Sequence, residues 1–396
     1  MTQMKSVQQS PTDPAFVQDP YPFYQKARAQ AGLNYWQDYG MPAAFRRAAV
    51  HAILRDRRFG REIPDELAQP APAHLAPFLA VEAHSMLEAE PPRHTRLRRL
   101  VMRAFTSRQI AAQREDLQSL CHDLIDAFPD QPFDLLAAYC TQIPVITICR
   151  LLGVPSDMAP QLLRWSHDMV AMYQARKTHE TELAAAKASA EFADFLRAYI
   201  TKRRSEPRDD LLTHLITAEE EGDKLSADEL IGTCILLLNA GHEATVHALG
   251  NGVKTLLQQG WQPDWLAPAG IEQLVEEILR FDPPLHMFTR YAYEEAEVMG
   301  HSFQRGDQVA LLLASANRDP AAEEAPEVFD PTRPARNNMS FGGGLHFCVG
   351  APLARMEMQI ALPILFDRCP DLALAAPPDY SNSYHFHGLT HLMVTR

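Results

Sequence analysis

The most chemically loaded stretch is FGGGLHFCVG, Phe341 to Gly350, where four glycines, one histidine and one cysteine directly precede Ala351-Pro352. Glycine lets a backbone turn tightly and approach a flat ligand closely, and proline suits the first turn of a helix. Cys348 thus stands just before a predicted helix N-terminus, where unpaired N–H groups and the helix dipole favour a thiolate. A buried, inert free cysteine beside a turn is the competing reading. Zinc is poorly served, because His346 and Cys348 lack further ligands at the usual spacing. A phosphate loop would end in Lys-Ser/Thr, which is missing. A second cluster is AGHEAT, Ala240 to Thr245, where Glu243 is a carboxylate in an apolar stretch and needs a partner. His247, one turn on, can supply it. Gly241 in the same predicted helix costs about 1 kcal/mol relative to Ala, which points to close approach or a helix irregularity. Glu277 and Arg280 are three apart, and His94 and Arg98 four apart, so each pair shares one helical face. Taken singly, such pairs are as often solvated surface contacts.

These residues need long helices to hold them. Residues 1–20 are polar and contain proline, as an extended arm would. A helix is predicted from Tyr21 to Ala29, and LNYW (33–36) with PAAFRR (42–47) form a hairpin turning at Gly40. Residues 61–92, rich in Pro and Ala, read as a long functional loop. From His94 to about Ile235 amphipathic helices follow one another, broken at Pro129–Pro132, Gly153–Pro155 and Ser205–Pro207. Ser226 to Gly250 reads as one largely buried helix, opened by the capping-box spacing of Ser226 and Glu229. Ile271–Phe281 is a helix stopped by Pro283-Pro284. Strands are expected at Thr289–Tyr293, Glu297–Phe303 and Gln308–Leu313, and a last helix at Ala351–Arg368. The fold class is mainly α with a small β portion.

Composition narrows the function. The chain has 396 residues, 37 Lys plus Arg against 50 Asp plus Glu, and a formal charge of −13. That balance argues against a general nucleic-acid binder. Six cysteines without CxxC pairs point to a reducing compartment rather than a disulfide framework. The longest charge-free apolar stretch, Leu230 to Gly241, is short of the roughly 20 residues a bilayer needs. MTQMKSVQQSPTDPAF has neither the apolar core nor the cleavage pattern of a signal peptide. A cytoplasmic location is expected, and probability by length alone favours two or three domains.

The loop at 341–350 resembles the haem-binding loop of the cytochrome P450 superfamily, F-x-x-G-x-H/R-x-C-x-G, matched by Phe341, Gly344, His346, Cys348 and Gly350. The resemblance runs from DPAFVQDPYPFY through RRSEPRDDLL to that loop and implies one haem-thiolate domain over residues 1–396. It implies heme b as cofactor, Cys348 as the proximal thiolate that pushes electron density onto iron, and His346 reaching a haem propionate. LVEEILRFDPP and EVFDPTRPAR resemble the family's E-x-x-R helix and second arginine, implying a structural triad of Glu277, Arg280 and Arg333. His94, Arg98 and Arg290 resemble propionate contacts, for which guanidinium is well suited. Gly241, Glu243, Ala244 and Thr245 fall where the family binds oxygen and relays protons. The usual Thr directly after the acid is Ala244 here. Thr245, an ordered water or a substrate hydroxyl would then complete the relay. Water or substrate is favoured, since Thr245 lies about 100° round the helix from position 244.

Segments resembling the family's substrate-facing positions contain Met86, Leu87, Leu236, Leu237, Asn239, Ala240, His286, Met287, Phe288, His385 and Phe386. Most are apolar, as pockets generally are. Two polar members facing the cavity would favour a substrate with a hydroxyl or carboxylate. Between Pro91 and Arg114 there are seven arginines and no acid. Arg96, Arg99 and Arg103 form a stripe nearly opposite His94 and Arg98, a surface that would steer an acidic 2Fe-2S ferredoxin. No nicotinamide or flavin motif is present, so NAD(P)H would act through a separate reductase. The resemblance thus implies a monomeric monooxygenase that oxidises a small, largely apolar molecule. A peroxide-driven peroxygenase and a non-catalytic haem carrier or sensor are the other classes.

Overall fold

The computed structural model describes residues 4–173, 177–220, 222–334, 338–384 and 386–396. Ten of its helices position the site. They are α1 (Tyr21–Gln30), α2 (Ala76–Glu82), α3 (Arg93–Ala104), α4 (Arg114–Asp126), α5 (Gln142–Leu152), α6 (Ala159–Val170), α7 (His179–Ser205), α8 (Ala227–Gln259), α9 (Ile271–Phe281) and α10 (Ala351–Arg368). One apolar core takes in faces of α2 through α10. Its axis is α8, against which α5, α6, α7, α9 and α10 pack. The start of α8 is fixed by the expected capping box. Ser226 Oγ accepts from the Glu229 N–H at 3.2 Å, and the Glu229 carboxylate accepts from the Ser226 N–H at 2.9 Å.

A mixed sheet flanks the helices. Its strands are β1 (Ser6–Val7), β2 (Leu33–Trp36), β3 (Met41–Ala44), β4 (Phe59–Gly60), β5 (Met287–Ala292) and β8 (Gln308–Leu312), in the order β1-β2-β3-β8-β5-β4. β5 and β8 are antiparallel, with Leu312 opposite Met287 and Gln308 opposite Tyr291. Between them, β6 (Ala296–Val298) and β7 (His301–Phe303) form a hairpin of their own. No helix among the described residues is long and apolar enough to cross a membrane.

Several expectations shift. The segment 61–92 is not all loop, because α2 lies within it. Its apolar face is only Phe78 and Val81, too brief a repeat to register as periodicity. The helix expected to end at Gly250 runs on to Gln259 and closes at Gly260, whose φ is +76°. Gly250 is instead a packing notch, since a Cβ there would sit 2.8 Å from Leu136 Cδ1. Glu297–Phe303 is a hairpin rather than one strand, because Met299 and Gly300 both take positive φ, 50° and 75°. The N-terminal arm is held down, with Ser6–Val7 parallel to Tyr35–Trp36 and a short helix at Pro14–Gln18.

Candidate active site

A cavity of about 580 Å³ opens beneath α8, bounded by α2 and the chain after it, β5 and the loop 341–350. Ala240, Gly241, Glu243, Ala244 and Thr245 face it from α8, and Phe341, His346, Cys348 and Gly350 from the loop. His94 and Arg98 reach it from α3. Met86, Leu87, Leu236, Leu237, Asn239, Met287, Phe288 and Phe386 complete much of the wall.

Cys348 is enclosed by protein on nearly all sides, yet its surface is accessible, because the open side is this cavity. Burial pushes its thiol up, opposed by the N–H groups of Gly350 and Ala351 at the start of α10 and by the Arg98 and Arg355 cations. The Cys348 N–H donates to Phe341 O at 3.1 Å, and Arg98 Nη2 donates to Phe347 O at 2.8 Å, which fixes the loop against α3. Gly344, with φ +66°, does not face the cavity. A Cβ there would meet Leu54 O at 2.0 Å, so its glycine serves the turn.

Two imidazoles and a guanidinium converge beside Cys348. His94 is buried, its Nδ1 has no partner, and burial together with the nearby His346 and Arg98 lowers it to about 4. Its ring centroid lies 4.4 Å from that of His346, whose Nε2 is 2.8 Å from Glu90 Oε1. Arg98 is the third. Arg290 is buried behind them without lining the cavity, donating to Thr289 O at 2.8 Å. Burial, then Arg61, lowers it to about 10.

On the opposite elements, the Glu243 carboxylate is 3.4 Å from His242 Nε2, 3.6 Å from His247 Nε2 and 4.0 Å from His167 Nε2 on α6. Burial alone would raise it. The neighbouring His242 and His247 more than offset that and hold it well below the usual carboxylate range. His242 Nδ1 lies 2.8 Å from Leu238 O and so serves as the donor there, which leaves Nε2 protonated only in the imidazolium. Gly241 also lies against α5 at the cavity's edge, where a Cβ would sit 3.0 Å from Ile148 Cγ1.

The Glu277–Arg280 pair is buried and bidentate, at 2.6 and 2.7 Å, and Arg333 Nε lies 3.6 Å from Glu277. Arg280 also donates to Pro326 O and Val328 O, at 2.8 and 3.0 Å, so the triad clamps the chain that leads into the cysteine loop.

Two sequence expectations fail. His286 does not line the cavity. Burial just before β5, then the nearby His387, lowers it well below its usual range, and its Nδ1 meets Tyr24 Oη at 2.9 Å. It stands beside Asp282, which Lys254, Tyr21, Tyr380 and His387 surround. Arg96 is not a free surface cation. It pairs with Asp223 at 3.2 Å and with Glu229 of the α8 capping box. Arg99 and Arg103 are exposed, as expected. His385 lies outside the described residues.

The cavity suits a flat, dianionic, iron-bearing group. It offers an accessible thiol, an unpartnered buried imidazole nitrogen, and cations that a pair of carboxylates would satisfy. The sequence profile of the cytochrome P450 family matches residues 65–259 and 271–370. The chain belongs to the cytochrome P450 family. It is 35% identical over 385 residues to cytochrome P450 monooxygenase PikC of Streptomyces venezuelae, covering 92% of this chain and 87% of that one. It is 36% identical to vitamin D(3) 25-hydroxylase of Pseudonocardia autotrophica, over 96% of this chain and 94% of the relative. The crystal structure of P450BioI in complex with a hexadec-9Z-enoic acid-ligated acyl carrier protein superposes with a TM-score of 0.89 at 32% identity, covering 96% of this chain and 99% of that one. This P450 is a monooxygenase whose family uses heme b, with NAD(P)H acting through a reductase.

Several residues in or beside the cavity of this P450 were not singled out from the sequence. Glu82 accepts from Tyr173 Oη at 3.0 Å, and burial pushes it up to about 7. Arg61 stacks over Phe288 at 5.7 Å and pairs with Glu88. For the first, Phe78 and Val81 alone are too short a repeat to have given a signal. His167 comes from a helix whose sequence gives no sign that it meets α8.

Proposed function

We propose that this P450 inserts one oxygen atom from O₂ into a small, largely apolar organic molecule, with electrons from an acidic ferredoxin and its reductase. The observation that carries the reading is a single cavity shared by Cys348 and by Ala240, Gly241, Glu243, Ala244 and Thr245. When bound, the haem supplies reductive dioxygen activation and oxygen transfer. Cys348 is its iron ligand, with Arg98 and the α10 N–H groups stabilising the thiolate. His94, Arg98 and His346 receive the propionates, and Arg290 adds positive charge from behind.

Glu243 moves protons toward the cavity. It faces the cavity on one side and approaches exposed His167 on the other, with His242 and His247 holding its charge. Ala244 offers no hydroxyl. Thr245 also lines the cavity, but it lies about 100° round the helix from position 244, so an ordered water or a substrate hydroxyl completes the relay. Apolar Leu236, Leu237, Met287 and Phe288 select for an apolar body, and Asn239 and Glu82 give a polar group somewhere to bind. Docking of the donor falls to Arg99 and Arg103. We read the chain as one monomeric domain, supported by one family match over both halves. We place it in the cytoplasm on its six unpaired thiols.

The test is the absorption spectrum of the reduced, CO-bound protein. The native chain should give the red-shifted Soret band of thiolate ligation, and Cys348→Ser should lose it. A native spectrum without that band overturns the reading.

A further inference from the structure

We propose that His74, His179 and Glu182 form a binding site for a divalent ion of the zinc type, which pins the roof of the cavity. The three side chains come from two separate pieces of chain. His74 lies in the turn Ala73–Leu75, which leads directly into α2. His179 and Glu182 lie in the first turn of α7, three residues apart and on one face. That turn is held by Thr178, whose hydroxyl accepts from the Thr181 N–H at 3.2 Å.

The geometry is that of a nearly assembled chelate. One ligand atom from each residue lies within 4.8 Å of the other two. His74 Nε2 is 2.7 Å from Glu182 Oε2, and His179 Nδ1 is 3.8 Å from the same oxygen. The two imidazole rings stand edge to face with centroids 4.7 Å apart. Small rotations would bring all three onto one ion at the roughly 2.0–2.2 Å that zinc takes with nitrogen and oxygen. Two imidazoles and one carboxylate select zinc and its neighbours over magnesium or calcium, which prefer oxygen throughout. His179 is 70% exposed while His74 and Glu182 are about a quarter exposed, so the fourth position opens to water. A second such cluster among the described residues, Asp282, His286 and His387, differs in kind. Lys254 Nζ already lies 2.8 Å from Asp282 and supplies its cation.

The site's position gives it a consequence. Val81 and Glu82 of α2 line the cavity, as does Tyr173 in the turn after α6. The Tyr173–Glu82 hydrogen bond joins these elements from inside. An ion on His74, His179 and Glu182 joins α2 to α7 from outside. With both in place the roof is fastened on its two faces, and opening it requires the metal bond to break.

The test uses the haem-loaded protein, freed of metal by chelation and titrated with zinc chloride in a calorimeter. The expected result is one saturable site, weakened at least tenfold in His74→Ala and in His179→Ala, with unchanged haem spectra and circular dichroism. Amide hydrogen exchange then reads the roof. Zinc should slow exchange in residues 72–83 of the native protein and leave it unchanged in His74→Ala. No saturable site overturns the proposal, as does zinc binding of undiminished strength in both variants. Loss of binding in the variants without slower exchange in 72–83 of the native protein overturns the pinning.

Discussion

Glu357 offers a sharp test of how this fold tolerates a buried acid. It sits within α10, fully buried, and neither carboxylate oxygen has a hydrogen-bond partner. Burial raises its pKa well above the ordinary carboxylate value, so the folded protein keeps it protonated where the unfolded chain ionises it. The folded value being the higher one, its contribution to stability is full below about pH 4.3, the unfolded value. It is lost as pH rises toward the folded value. The loss is about 1.4 kcal/mol per pH unit across that interval. Glu357→Gln keeps the shape and removes the titration. Urea unfolding of the haem-loaded proteins at about pH 5, 6, 7 and 8, followed by circular dichroism, reads the difference. The two proteins should be similar at the acid end, with the glutamine variant gaining about 1.4 kcal/mol per unit upward. The nearby Cys121 does not confuse the result, since burial pushes that thiol up to about 11. Parallel curves, or a variant that loses ground as pH rises, would refute the reasoning by showing that the carboxylate ionises in the folded state with a partner.

Arg280→Leu should cost about 3–5 kcal/mol, because it strands a buried Glu277 along with the Pro326 and Val328 carbonyls. Denaturant midpoints and haem retention would show it, with Arg280→Lys intermediate. Glu243→Gln should slow turnover by about tenfold or more and change its solvent isotope effect, and His167→Ala should do so more weakly. A rate and isotope effect unchanged in Glu243→Gln would remove that carboxylate from proton delivery. Ala244→Thr should alter the ratio of product formed to reductant consumed, so an unchanged ratio and rate mean that this position limits nothing. Charge reversal at Arg99 or Arg103 should slow reduction by ferredoxin several-fold at low salt, with the difference vanishing as salt rises.

What could be read from the sequence was whatever rests on short-range spacing. The loop 341–350, the helix Ile271–Phe281 stopped by two prolines, and the helix Ala351–Arg368 all stand where local rules put them. So does the capping box of α8. What escaped depends on which faces meet. His286 precedes a cavity-facing Met287, yet it stands just before the strand begins and its ring meets Tyr24 instead of the cavity. Arg96 sits on the face opposite His94, as helical geometry requires, but the start of α8 lies there with two acids. α2 carries too few apolar residues to announce itself, and with it went Glu82.

The helix α3 has a mechanical meaning beyond the side chains it offers. Its Arg98 grips the cysteine loop through the Phe347 carbonyl, and two residues earlier Arg96 grips the first turn of α8 through Glu229. One short rod is therefore the tie-beam between the cysteine loop and the start of α8. Any force on its outer edge, where Arg99 and Arg103 stand, bears on both together, so the spacing between them cannot change without α3 bending or one of its two grips letting go.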